Sequence, residues 1–276
     1  MSTPLPIPGL EIDPPSQLAW PDKLLSNNNT DVCRRTGEPD QPRVFTWTLP
    51  AWVVQLTSGK FFNTCPQAGV CGGPLCYAVA PGSSYRRLPN VLAAHVRNLE
   101  LVLGEPQEWE RRMKAELRGR RYQGPNVWVR IHDAGDFWSD AYLLSWLRIA
   151  RSAPHVRFYC YTKAISRFLR LVKPDQPANF LWCASLGGKE DHLVDREHMR
   201  HADVFPTVEA LESAGYSDQS ASDLLAVLGD QRVGIPANRG TAKKFGASFG
   251  ELQRQRDEQL RAKNARARQR AALAAA

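Results

Sequence analysis

Short apolar segments typical of strands alternate with segments of helical periodicity between residues 44 and 247. A strand, a helix and a further strand of the same sheet form a parallel pair joined by a right-handed crossover. The region holds five or six β/α units, which are too few to complete an eightfold barrel. We therefore predict an α/β fold, a partial β/α barrel of about six parallel strands. The strand-like segments are VFTWTLPAWVVQL, VWVRIH, VRFYCYTK, NFLWCASLGG, ADVFPTV and RVGIPAN.

The segments on either side of this region differ from it in composition. Residues 1–40 contain PLPIPG, DPPSQ and SNNNTD and have little periodicity, which predicts a loose N-terminal arm. Residues 251–276 carry seven Arg or Lys and three Asp or Glu, a net charge of +4. We predict one α/β domain over residues 41–248 and a basic tail, helical or disordered, over residues 249–276. The tail is either a solvated surface segment or an arm that contacts nucleic acid.

Composition and the N-terminal sequence favour a cytoplasmic protein. The chain has 276 residues, 43% of them hydrophobic, as in ordinary soluble domains. Its first residues lack the pattern of a signal peptide, and no apolar run approaches the roughly 20 residues that span a bilayer. We expect no membrane association, and the net charge of +8 suits an anionic partner. Cytoplasmic thiols stay reduced, so a group of cysteines indicates a metal or catalytic site before a disulfide.

The predicted strands indicate where a functional site would lie. Each begins apolar and ends polar, as in VWVRI before HDAGD and RVGI before PANRG. In parallel α/β folds the reactive groups lie at the carboxyl ends of the strands. We therefore expect the polar ends to converge on one edge of the sheet, and the loop after the first strand to open onto that edge.

That loop, NTCPQAGVCGGPLCYA, carries half of the six cysteines, at the spacing C-x5-C-x4-C. Zinc sites use four ligands and closer cysteine pairs, and the nearest histidines, His95 and His132, belong to a predicted helix and strand. An iron–sulfur cluster suits the loop because thiolates are soft ligands and glycines let backbone N–H groups approach the sulfurs. We predict that Cys65, Cys71 and Cys76 hold such a cluster and leave one iron open. Zinc, or three reduced cysteines without a metal, are the alternatives.

Several further motifs accompany the cysteines. They are C-Y-A at residues 76–78, Tyr85, R-x-H-x-x-G-D-F at residues 130–137 and Tyr-Thr-Lys at residues 161–163. In these motifs the chain resembles the gene product 88 family of phages and plasmids, whose function is unknown. The resemblance covers about residues 45–245 and leaves both tails outside. It implies no activity, because none is known for the family.

The order of predicted strands, helices and cysteine loop is more distantly similar to that of radical S-adenosylmethionine (SAM) enzymes. In those enzymes a three-cysteine loop after the first strand of a partial barrel holds a [4Fe-4S] cluster, usually at the spacing C-x3-C-x2-C. The resemblance implies that SAM binds the fourth iron, with Tyr77 beside the last cysteine. It also implies that Gly135 and Asp136, in the sequence AGD, take the place of a Gly-Gly-Glu-like motif that receives the amino group of SAM. The implied function is the reductive cleavage of SAM to a 5′-deoxyadenosyl radical, which needs an electron donor and acts on a substrate such as a nucleotide or nucleic acid.

Other polar residues at the strand ends complete the predicted site. Arg130 and His132 share one face of their strand, so we predict that both project into the barrel as catalytic groups. Lys163, at the end of the next strand, is the third candidate catalytic residue. Ser185 and Asn238, at later strand ends, are candidate cofactor-binding residues.

Structural alternatives for these residues stay open. Arg130 is suited to an ion pair with a nearby acid as well as to a catalytic role. Asp136 is suited to stabilise the helix that begins near Ser139 as well as to bind a cofactor. A plain hydrolase or nuclease would use His132, Asp133 and Asp136, but this function leaves the three cysteines unexplained.

A non-catalytic function competes with the enzyme. In that case zinc or a cluster stabilises the cysteine loop, and the protein binds nucleic acid. The contacts to phosphates would come from the basic tail, Arg86, Arg87 and the run RRMKAELRGRR at residues 111–121.

Overall fold

The computed structural model describes residues 20–28, 32, 41–79, 83, 88–237 and 246–275. The strands are β1 (Arg43–Trp47), β2 (Val53–Gln55), β3 (Phe61–Asn63), β4 (Val127–Ile131), β5 (Arg157–Thr162), β6 (Phe180–Ser185), β7 (His201–Phe205), β8 (Ser217–Asp218) and β9 (Arg232–Pro236). The helices are α1 (Pro89–Gly104), α2 (Pro106–Leu117), α3 (Asp140–Ser152), α4 (Ile165–Leu171), α5 (Val208–Ser213), α6 (Leu225–Leu228) and α7 (Phe249–Ala275).

Seven of these strands form one sheet, in the order β1-β4-β5-β6-β7-β9-β8, and every neighbouring pair is parallel. The sheet contains a strand from each of the six predicted segments, which confirms an α/β fold with a parallel sheet. The end of the first segment forms β2, which lies outside this sheet. The additional strand β8 has only two residues, too few for periodicity to indicate it. β2 and β3 form a separate antiparallel hairpin. Within the described residues, no pairing between β1 and β8 closes the sheet into a barrel.

The sheet grows in one direction, from β1 to β7, as the chain proceeds. Crossovers that are all right-handed and all advance in the same direction place their helices on one face of the sheet. The largest hydrophobic cluster lies on this face, where Phe45, Val129 and Phe158 of the strands pack with Trp109 of α2 and Trp146 of α3. This order also brings the carboxyl ends of β4, β5 and β6 side by side.

The opposite face of the sheet is covered differently. It carries Trp128, Tyr159 and Cys183, and the segment around α6 packs over it through Leu224 and Val227. Side chains that alternate along a strand thus enter two separate environments.

The N-terminal region differs from the predicted loose arm where it is described. Leu24 and Leu25 are buried in the main core, and their backbone N–H groups donate to the carboxylate of Glu116 at 2.6 and 3.2 Å. Ser26 forms an antiparallel bridge with Thr46 of β1. Apolar residues at 24 and 25 therefore anchor this segment, while most of residues 1–40 lie outside the described residues.

The basic tail that the sequence predicts is the helix α7. Its first turns pack on the body of the protein through the buried side chains of Phe249 and Gln253. From Glu258 to Ala274 every side chain is exposed. No helix in the described parts of the chain is long and apolar enough to cross a membrane.

Candidate metal centre

In the structure Asn63 ends β3, and the cysteine loop covers residues 64–79. The loop lies at the carboxyl ends of β4 and β6, the edge that the sequence predicts. The N–H of Asp136, after β4, donates to the carbonyl of Thr64 at 3.2 Å. After β6, the carbonyl of Gly187 accepts from the N–H groups of Gly69 and Cys71 at 3.1 and 3.2 Å. These bonds are between backbone groups, so they fix the path of the loop whatever its side chains do.

Two further contacts hold the cysteine loop in place. Lys189, after β6, donates its N–H to the carbonyl of Gln67 at 2.9 Å and its ammonium to the carbonyl of Pro66 at 2.7 Å. On the other side, the side-chain oxygen of Gln253 accepts from the N–H of Val70 at 2.8 Å. A Cβ on Gly69 would lie 1.9 Å from that oxygen, so this approach of α7 to the loop requires glycine.

The three cysteines of the loop carry free thiols, and none of them is disulfide-bonded within the described residues. Burial raises the pKa of Cys65 to about 12, with a further contribution from the negative charge of Asp136. Burial also raises the pKa of Cys76 to about 11. Cys71 adds to both pKa shifts by like-charge repulsion, so it lies within electrostatic range of the other two thiols.

Hydrogen-bond donors point at two of the three sulfurs. The N–H of Trp52 donates to Sγ of Cys65 at 3.4 Å. The N–H groups of Ala78 and Val79 donate to Cys76 and act to lower the pKa of its thiol. Backbone donors of this kind stabilise a thiolate and are what metal-bound sulfurs commonly accept.

As they stand, the described residues include no group of three or more His, Cys, Asp or Glu side chains that could hold a metal ion. Two histidines were considered as zinc ligands, and one of them, His132, is directed away from the loop. Burial lowers the pKa of His95, and the nearby charge of Asp133 acts in the opposite direction. His132 bonds to Tyr142 in the core.

Lys163 is buried beside the cysteine loop. Its ammonium donates to the carbonyl and hydroxyl of Ser185 at 3.1 and 2.7 Å, and to the carbonyl of Leu186 at 2.8 Å. Its positive charge acts to lower the pKa of Cys76. Lys163 thus ties the ends of β5 and β6 together and places a cation next to the thiols, and Ser185 is engaged with it.

Asp136 binds the protein's own donors. One carboxylate oxygen accepts from the N–H of Phe137 and the hydroxyl of Thr162, both at 2.7 Å, and the other accepts from the N–H of Lys163 at 2.9 Å. The predicted stabilisation of the following helix falls instead to Ser139, whose hydroxyl accepts from the N–H of Tyr142 at 3.2 Å. Asp136 therefore joins the ends of β4 and β5, with both oxygens already bonded.

Gly135 makes a close approach of the backbone possible at this point. Its φ of +90° lies in the region that favours glycine, and a Cβ there would lie 2.9 Å from the Cβ of Leu49. The glycine therefore has a packing role in the turn after β4.

Arg130 and His132 do not project to the same side, contrary to the prediction. β4 ends at Ile131, and His132 has a φ of +65°, which takes its ring out of the strand alternation. The imidazole lies against Phe137 and Tyr142 in the core under the helices. Arg130 lies on the opposite face of the sheet, against Tyr161.

The environment of His132 keeps it neutral. Burial, with the positive charge of Arg130, lowers its pKa to about 3. Its Nε2 lies 2.7 Å from the hydroxyl of Tyr142, which also accepts from the indole N–H of Trp47 at 2.9 Å. An imidazole with this pKa stays deprotonated at neutral pH and is a weak base, so the structure does not favour the predicted catalytic role.

Arg130 forms the ion pair that the sequence left as an alternative. Its guanidinium donates to Asp223 at 2.6 Å, and the hydroxyl of Tyr159 donates to the other oxygen of the same carboxylate at 2.6 Å. The guanidinium also lies over the ring of Tyr161, 5.0 Å from its centroid, and Tyr77 lies within electrostatic range of it.

This cluster of Arg130, Asp223 and tyrosines was missed at the sequence level. Strand alternation could have placed Tyr159 and Tyr161 on the face of Arg130, because all three belong to paired strands. Asp223 comes from an irregular segment whose position no sequence pattern indicated.

Of the remaining candidates, one lies in the described part of the chain. Tyr77, directly after the last cysteine of the loop, is 43% exposed. Asn238, Tyr85, Arg86 and Arg87 lie outside the described residues.

Comparison with known proteins identifies the family. The family model of gene product 88 matches residues 23–271. The chain belongs to the gene product 88 family. This result confirms the family resemblance seen in the sequence motifs, whereas the similarity to radical SAM enzymes stays a prediction.

A curated relative within the gene product 88 family is the Gene 88 protein of Mycobacterium phage L5. It is 32% identical over 116 residues, which cover 40% of this chain and 46% of the phage protein. The match thus spans about half the length of that relative. No solved structure matches the chain.

Proposed function

We propose that this protein holds a [4Fe-4S] cluster on Cys65, Cys71 and Cys76 and acts as a radical-SAM-like enzyme. The observation that carries the proposal is that three free cysteines belong to one glycine-rich loop, whose backbone is bonded to the segments that follow β4 and β6 at the carboxyl edge of the parallel sheet. Reactive groups of parallel α/β proteins lie at this edge. The one-directional order of β1 to β7 is also the order that a partial barrel requires.

The loop suits a cluster better than a single metal ion. A cluster takes each thiolate on a different iron, so its ligands stand further apart than those of one tetrahedral ion. Zinc, the competing occupant, needs a fourth ligand, and the ring of His132 is engaged with Tyr142 in the core. The N–H groups near Cys65 and Cys76 and the buried ammonium of Lys163 would stabilise the negative charge of bound thiolates.

When bound, such a cluster supplies an electron for the reductive cleavage of SAM. The residues predicted to receive SAM do not fit that role in their present bonding, because Asp136 and Ser185 already accept from protein donors. Binding of SAM would therefore depend mainly on the cluster that Cys65, Cys71 and Cys76 would hold. An enzyme of this kind also needs an electron donor and a substrate, such as a nucleotide, that lies over the same strand ends.

The test is to isolate or reconstitute the protein without oxygen and to measure iron, sulfide and zinc per chain. We expect about four irons and four sulfides, as a [4Fe-4S] cluster contains, and a change in the electron paramagnetic resonance spectrum of the reduced protein when SAM is added. Cys71→Ser should lose the cluster. Cys160→Ser is the matched control, because Cys160 is buried in β5 away from the loop.

Three results would overturn the proposal in part or whole. Colourless protein with one zinc per chain contradicts the cluster. Full iron content in the Cys71→Ser variant contradicts the ligand assignment. A cluster whose spectrum and reduction products are unchanged by SAM contradicts the enzyme and leaves a cluster-binding protein.

Assembly of the metal centre should depend on pH. The raised pKa values of Cys65 and Cys76 mean that both thiols are protonated at neutral pH, and metal binding must release those protons. We expect tighter metal uptake at pH 8.5 than at pH 6.5, measured as metal retained against a competing chelator. Uptake that does not change with pH would contradict this.

A further inference from the structure

We propose that the exposed part of α7, residues 258–274, binds duplex DNA along its major groove. This surface is distinct from the cysteine loop, so the inference does not depend on the proposed metal centre. Beyond Gln253, the described part of α7 has little contact with the rest of the protein. Its side chains from Glu258 to Ala274 are exposed. At about 1.5 Å per residue the exposed part extends about 25 Å from the body.

The exposed part of α7 is strongly cationic. Its five cations are Arg261, Lys263, Arg266, Arg268 and Arg270. No carboxylate follows Glu258, and in the described part of the chain no ion pair joins these cations to an acid. The ion pairs of the helix lie closer to the body, where Arg254 bonds Glu251 and Glu258 at 2.6 and 2.5 Å. Five unneutralised charges on one short helix favour a polyanionic partner.

The cations form two rows on opposite sides of the helix. At about 100° per residue, Arg261 and Arg268 lie on one side, and Lys263, Arg266 and Arg270 lie about 140–200° away. The sides between the rows carry mostly alanines, such as Ala262 and Ala267, together with uncharged side chains, such as Asn264 and Gln269. A helix of this kind can enter a groove and reach a phosphate backbone on each side of it.

The two rows distinguish duplex DNA from other anionic partners. The major groove of B-form DNA is about 12 Å wide and admits an α-helix, whereas the deep and narrow major groove of A-form RNA does not. A membrane surface would select one basic face opposite an apolar face. α7 has no such apolar face, because its only large apolar side chains beyond Glu258 are Leu260 and Leu273.

The experiment is a fluorescence anisotropy titration of a labelled 24-base-pair random duplex with the full, metal-free chain at several salt concentrations. Each phosphate contact contributes about −0.9 to the slope of log K against log salt concentration. Arg261→Gln/Arg268→Gln and Lys263→Gln/Arg270→Gln should each reduce the magnitude of the slope by about 1.8. By the same relation, each should weaken binding roughly 60-fold at 0.1 M salt. Glutamine preserves helix propensity, which circular dichroism would verify.

The matched control is Lys23→Gln/Lys173→Gln, which removes the same charge from exposed positions outside both α7 and the basic run at residues 111–121. It should leave the slope nearly unchanged. Equal loss in the control would mean that net charge alone drives binding and would overturn the proposal. The proposal is also overturned if the substitutions in only one of the two rows change the slope. Equal affinity for single-stranded DNA would overturn it, and so would binding to anionic vesicles without binding to the duplex.

Discussion

His132 shows how one backbone dihedral angle decides the surroundings of a side chain. Simple alternation along β4 would have placed it beside Arg130. The positive φ after Ile131 instead directs the imidazole into the aromatic core, where its Nδ1 is buried and has no hydrogen-bond partner among the described residues. The residue therefore contributes to packing, and its neutral form is the one that the fold accommodates.

The depressed pKa of His132 predicts a loss of stability in acid. The pKa is about 3 in the folded protein and about 6.5 in an unfolded chain, so the unfolded state binds more protons between these values. The stabilisation is complete above pH 6.5 and is lost as the pH falls towards 3, by up to about 1.4 kcal/mol per pH unit. Urea unfolding between pH 4 and pH 7 would measure this, and His132→Gln should show a shallower dependence over that range. An unchanged pH dependence in the variant would contradict the prediction.

Arg130 and Asp223 form a largely buried pair, with side chains 13% and 10% exposed. Removal of either partner leaves a charge without compensation, and we expect Arg130→Met or Asp223→Leu to lower the free energy of unfolding by about 3–5 kcal/mol. The double variant should be considerably more stable than the sum of the two losses predicts. A double-mutant cycle by urea denaturation measures the coupling, and additive losses would show that the pair does not act as a unit.

The cysteine loop and α7 are linked elements, although about 180 residues separate them in the chain. Gln253 is 2% exposed and satisfies the N–H of Val70 in the loop, as well as donating to Asp257 at 2.8 Å. The first turns of α7 therefore act as one wall of the candidate metal centre, while its outer part is free of the body.

Loss of this link should affect stability and the loop together. Gln253→Ala leaves the N–H of Val70 unpaired, and we expect a loss of about 1–3 kcal/mol in the free energy of unfolding, with faster hydrogen exchange in residues 64–79. Gln259→Ala, on the exposed part of the same helix, is the matched control and should change stability by less than about 0.5 kcal/mol. Similar losses in both variants would contradict the role of Gln253 in docking.

At the level of the whole protein, the candidate metal centre is separate from the main core. Cys76 packs in a small apolar group with Ala51, Ala78 and Ala134, whereas the main core lies between the sheet and helices α1–α4. A fold with a core of this size does not depend on a metal for its formation, unlike a small zinc domain.

We therefore expect the metal-free protein to stay folded. Its far-ultraviolet circular dichroism and cooperative unfolding should match those of the metal-loaded protein, and changes in hydrogen exchange should concentrate in residues 64–79. Loss of the helical signal on metal removal would contradict this and would assign the metal a structural role.

Strand–helix alternation was sufficient to predict the parallel sheet, because hydrophobic periodicity is a local property of the chain. Polar strand ends predicted the edge at which the cysteine loop lies, since parallel strands share one direction. The same local patterns predicted that α3 begins near Ser139, but they did not predict β8, which is too short to carry a pattern.

Local sequence determined the elements of this protein, the free cysteine trio and the concentration of positive charge at the end of the chain. Tertiary structure alone decided what each polar residue does at the strand ends. It paired Arg130 with Asp223, 93 positions away, turned His132 into the core and engaged both oxygens of Asp136. The physical reason is that hydrogen bonds and ion pairs form between groups that folding brings together from distant parts of the chain. Sequence periodicity indicates neither which two groups will pair nor where a single residue will take a positive φ.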